Sequence, residues 1–67
     1  MKFENLEAII DFAIEKEIEA ADFYLTASKE ESFSGAKDML ESFAGEEKKH
    51  QAMLEKFKTE GLGESLS

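Results

Sequence analysis

From Phe3 onward, apolar side chains recur at steps of three and four residues, a periodicity that commits the chain to helices packed along one face. Phe3, Leu6, Ile10, Ala13, Glu17, Ala20, Tyr24 and Ala27 trace one such stripe, and Glu17 is the sole charge in it. Ile14, Ile18, Ala21 and Leu25 lie beside it and widen the apolar face beyond that of a two-stranded coiled coil, toward that of a bundle helix with more than one neighbour. Proline is absent, and the four glycines stand at 35, 45, 61 and 63, so helix-breaking residues are confined to the middle and the C-terminal end.

The run Glu31-Ser32-Phe33-Ser34-Gly35 interrupts the pattern, and Ser32 or Ser34 is placed to cap a following helix. Ala36, Leu40, Phe43, Glu47, His50, Leu54 and Phe57 then step by four and three again, thickened by Met39, Ala44 and Met53, with the methionines as ordinary core filler. The expected organisation is one helix over about 3–30, a turn over about 31–34, a second helix over about 35–60 and a flexible tail over 61–67. The fold class is all-α: an antiparallel two-helix hairpin.

Sixty-seven residues bury little apolar surface, so a lone hairpin of this size calls for a staple or a partner. With no cysteine, disulfides, thiolate metal sites and thiol catalysis are all excluded, and any metal must rest on oxygen and nitrogen ligands. Sixteen acids against eight Lys or Arg give a net charge of -8, which argues against nucleic acid and anionic membrane surfaces and favours cations as guests. No segment approaches the roughly 18 uncharged apolar residues of a membrane span, and the reading is of a soluble, cytoplasmic protein.

Helices joined by a short turn pack antiparallel, so residues equally far from the turn face each other. Glu17 and Glu47 are each fifteen residues from Ser32, and the same count pairs Tyr24 with Leu40 and Ile10 with Leu54. His50 follows Glu47 by three residues, so one helix face offers a carboxylate and an imidazole to the same ion. Two carboxylates left uncompensated in an apolar interior cost several kcal/mol each or take up protons, and a divalent cation removes that cost. Di-iron carboxylate bundles use one Glu from each of two helices and a Glu-x-x-His pair from each of the other two. This chain supplies half of that set, so the expected assembly is a homodimer, or a higher homo-oligomer, whose two hairpins form a four-helix bundle around two metal ions.

The stretches Glu17-Ile18-Glu19-Ala20-Ala21-Asp22-Phe23-Tyr24 and Ala44-Gly45-Glu46-Glu47-Lys48-Lys49-His50 resemble the two metal-binding helices of the ferritin-like superfamily, most closely rubrerythrin-like proteins and the short encapsulated ferritins. The likeness covers roughly residues 5–57. It implies that Glu17, Glu47 and His50 are metal ligands, that Tyr24 stands near the metal centre with a catalytic part, and that the metal is iron, two ions per dimer, with manganese or zinc also compatible with the donors. The activity it implies is oxidation of iron(II) by dioxygen or peroxide at a site shared between two subunits. A rubrerythrin-like peroxide reductase is the alternative. Typical rubrerythrins carry four bundle helices and often a cysteine-ligated domain, whereas this sequence has two helices and no cysteine, as in a member that dimerises or the first half of a longer protein. Glu19 fits one acidic entry position of the short ferritins, but Lys16 occupies another. Leu62-Gly63-Glu64-Ser65-Leu66 resembles the peptides that dock cargo in encapsulin shells, which implies a possible encapsulin partner.

Plainer readings compete. A lone Glu in an apolar stripe is usually a register-setting residue and a lone His a satisfied core side chain. Three such groups on one level in an otherwise uncharged stripe favour metal over that reading. Tyr24 is balanced evenly between core aromatic and redox neighbour. The non-enzymatic alternative is a structural dimerisation module whose metal, if any, is not catalytic.

Overall fold

The computed structural model describes residues 5–61 of the 67. Two α-helices, α1 (Leu6–Glu30) and α2 (Ser34–Lys56), form an antiparallel hairpin, and a single π-helical turn, Phe57–Gly61, follows α2. There is no strand among the described residues.

Each boundary has a local cause. Asn5 has extended backbone, and its Oδ1 accepts from the Ala8 N–H at 2.8 Å, which caps α1 and satisfies one of its free donors. The expected start at Phe3 lies outside the described residues, as does the tail from Leu62 onward with its cargo-peptide resemblance. At the turn, neither serine caps α2. Ser34 is its first helical residue and Phe33 its N-cap, with no side-chain bond to the helix. Glu31 organises the turn instead: its Oε1 accepts from the Ser32 and Phe33 N–H groups at 3.0 and 3.1 Å, while its own N–H closes α1 on Ala27. Ser34 cannot cap because it already lies within the helix, and a cap needs the residue just before it, which is Phe33. At the far end α2 stops at Lys56, and Gly61, read as tail, belongs to the wider turn, from which Lys58 Nζ meets Asp11 Oδ1 of α1 at 2.6 Å.

The helices touch along a line of small side chains. Ala21, Ser28 and Ala44 are its buried residues, and Ser28 disposes of its hydroxyl by donating to the Leu25 carbonyl at 2.7 Å. Among the described residues no large side chain is fully buried. The molecule measures 50 × 24 × 10 Å, one helix thick, so a side chain rising from the plane of the hairpin finds no second layer. Leu6 and Ile9 of α1, with Met39, Phe43 and Phe57 beyond them, are exposed and lie within about a quarter of a turn of Glu17 or Glu47 around their helices, while the exposed Phe23 and Met53, each about a third of a turn away, border the same side and Ile18 is exposed on the other. Those on the shared side make one open apolar face, and the two glutamates sit within it.

Candidate metal centre

Glu17 comes from the middle of α1 and Glu47 from the middle of α2, and the antiparallel pairing brings them level. His50, one turn beyond Glu47, leans back over both. The three side chains each offer a ligand atom within 4.8 Å of the others, and no further carboxylate or imidazole joins the group among the described residues. Donors held about 2.1 Å from one ion lie roughly 3.0–4.2 Å apart, so this set is already near ligand spacing. His50 Nδ1 stands 3.4 Å from Glu17 Oε2 and 3.9 Å from Glu47 Oε1. Both glutamates are about three-quarters buried, whereas about half of the His50 side chain is exposed.

The electrostatics of the trio are unfavourable as it stands. Glu17 Oε2 is buried and receives no hydrogen bond, although His50 Nδ1 stands 3.4 Å away. Glu47 holds its proton above the ordinary carboxyl range, first because the protonated form can share that proton with Glu17, then through burial and the adjacent Glu17 charge, with His50 pulling the other way. An orphaned buried carboxylate oxygen beside a second carboxyl and an imidazole nitrogen is the environment a divalent cation satisfies. The donors fit iron, manganese or zinc.

Tyr24, two turns after Glu17, is held by packing. Its ring meets Phe23 edge-on at 5.5 Å and Phe43 at 5.4 Å, and among the described residues its hydroxyl forms no hydrogen bond. The ring reaches Phe43, one turn beyond the Leu40 expected from counting alone, because helical side chains lean toward the N-terminus of their own helix. Flanking the centre, Lys16 pairs with Glu19 and lies over the Phe12 ring, and Lys49 pairs with Glu46, each ion pair 3.4 Å long and exposed. The one acidic entry position met in the sequence, Glu19, is thus already matched by a lysine.

A Glu on one helix and Glu-x-x-His on its antiparallel neighbour, brought to one level, match half of the donor pattern of a ferritin-like carboxylate bundle. The chain matches the family model Rubrerythrin over residues 1–58 and belongs to that family, whose members are iron-binding and ferritin-like. No curated protein and no solved structure matches it. Among the described residues no helix is long and apolar enough to cross a membrane.

Proposed function

We propose that two copies of this hairpin dock through the open apolar face into a four-helix bundle, where Glu17, Glu47 and His50 of each hold a pair of iron ions and iron(II) is oxidised. One observation carries the reading: the trio lies on the same side of the hairpin as the exposed Met39, Phe43 and Phe57, so whatever covers those side chains also encloses the site. A second copy brings a second trio, and four carboxylates then balance two divalent cations.

In this reading Glu17 and Glu47 bind the incoming iron(II) and neutralise it, His50 orients it through a nitrogen donor, and the apolar surround excludes water. Carboxylate oxygens favour iron(III) over iron(II), which drives the oxidation. Two iron(II) ions give up two electrons, which with two protons reduce one dioxygen to one hydrogen peroxide. Membership of the Rubrerythrin family supports a second reading, reduction of hydrogen peroxide with electrons from an external donor.

Native mass spectrometry after anaerobic iron(II) addition tests the shared site: two irons per two chains are expected, and one iron retained by a single chain contradicts it. Steady consumption of hydrogen peroxide in the presence of a reductant, outpacing iron(II) oxidation by dioxygen, selects the peroxide reductase.

A further inference from the structure

Cysteine and methionine are the side chains that peroxide oxidises most readily, and this chain has three methionines and no cysteine. Met1 lies outside the described residues, which leaves Met39 and Met53, both on α2. Read from the sequence as core filler, neither is buried: Met39 is 51% and Met53 62% exposed. Their exposure is similar, but their positions relative to the trio are not. Met53 follows His50 by three residues, so the two side chains are neighbours on the helix surface, with Cβ atoms about 5–6 Å apart. Met39 precedes Glu47 by eight residues, about 12 Å along the axis at the helical rise. Direction adds to the contrast. Side chains on a helix lean toward its N-terminus, which carries the Met53 thioether back over the turn that holds His50 and carries that of Met39 away from the trio. Met53 also stands at the border of the open face rather than within it, so a small molecule leaving the trio past the half-exposed His50 meets it at the rim.

We infer that Met53 is a built-in peroxide acceptor: hydrogen peroxide formed at the trio is taken up by its sulfur, and Met53 rather than Met39 becomes the sulfoxide. The inference rests on the iron(II) oxidation reading above, which supplies the peroxide, and adds to it a modification site that the reading does not use. The step balances. A sulfur lone pair attacks one peroxide oxygen, an S–O bond forms as the O–O bond breaks, and the leaving hydroxide takes the proton from the transferred oxygen and departs as water. The sulfur loses the two electrons that the peroxide gains. Methionine sulfoxide is reducible, so the residue can serve again.

Peptide mass spectrometry on the full chain reads the site. Loaded anaerobically with iron(II) and then exposed to air with catalase in the solution, the chain is expected to carry at least about 10-fold more sulfoxide at Met53 than at Met39, because a neighbouring group reacts before peroxide escapes to the bulk. The control is the zinc(II)-loaded chain given hydrogen peroxide from solution, in which the two methionines are expected to oxidise within about twofold of each other, as their similar exposure dictates. Equal sulfoxide at both residues under iron, a preference for Met53 just as large in the zinc control, or loss of the Met53 sulfoxide when catalase is present overturns the inference and leaves iron(II) oxidation standing. Iron(II) that stays unoxidised in air overturns both. Met53→Leu, measured without catalase, is expected to oxidise iron(II) at the natural rate while the hydrogen peroxide released in the first turnover rises to the full yield of the reaction. A variant that releases no more peroxide than the natural chain, with helical circular dichroism intact, also overturns the inference.

Discussion

Glu17 is a residue whose chemistry is set by what it lacks. Its buried oxygen has no donor, so in the absence of metal the side chain adds nothing to the fold that an apolar residue would not supply. Glu17→Ala is therefore expected to leave the metal-free melting temperature unchanged or higher while reducing iron(II) affinity at least about 10-fold, the scale on which even supporting residues of metal sites act. Circular dichroism melts and metal analysis read the two effects, and a lower melting temperature with metal retained contradicts the assignment. Glu47 adds a pH dependence whose sign can be derived. Its pKa is raised in the folded chain, so folding favours its protonated form relative to the unfolded chain. Its contribution to metal-free stability is fully present below the unfolded pKa and is lost as pH rises through the folded value. Compared with Glu47→Gln, the metal-free natural chain is then equally stable in acid and less stable toward neutrality. Metal affinity runs in the opposite direction, weakening as pH falls through the same raised value, because the ion and the proton compete for one carboxylate.

The two helices were legible in the sequence because steps of three and four persist without a proline. The level of the trio was legible because counting from Ser32 locates residues across a short antiparallel turn. The turn's own chemistry was not. Serines in a five-residue break suggest hydroxyl caps, and nothing in the pattern says that Glu31 will fold back over the N–H groups of Ser32 and Phe33. Nor does periodicity reveal the tie between Lys58 and Asp11, which joins groups on the ends of two elements far apart in sequence. The uncapped start of α2 gives a prediction at this scale. Phe33 is an N-cap with extended backbone and three-quarters of its surface exposed, so Phe33→Asp discards little packing and supplies the missing acceptor. It is expected to stabilise the fold by about 1 kcal/mol. Gly45→Ala, in the middle of α2 where an added Cβ meets nothing within 4 Å, is expected to add about 0.5–1 kcal/mol. For a chain of this length each kcal/mol raises the melting temperature by roughly 4–8 °C, and a melt that falls for either variant refutes the local account.

For the whole molecule, the governing fact is that the hairpin is one helix thick. A slab of that kind encloses nothing, so its stripe of large apolar residues and its buried carboxylates are explained by what lies against the slab. The sequence pointed to a partner through the width of the apolar face and the half-complete ligand set, but it could not show that both features open in the same direction. The fold makes them coincide, and Met39 separates this account from that of a self-sufficient hairpin. Its side chain is 51% exposed in the single chain, so Met39→Lys leaves the hairpin's own packing largely untouched. In a dimer formed through this face the same change buries an unpaired ammonium group at the interface, at a cost of several kcal/mol. The variant is expected to remain helical, to sediment as a monomer even with metal present, and to lose the two-ion stoichiometry although Glu17, Glu47 and His50 are all intact. If Met39→Lys still assembles and still binds two irons per pair of chains, the second copy docks elsewhere and the site is completed by some other surface.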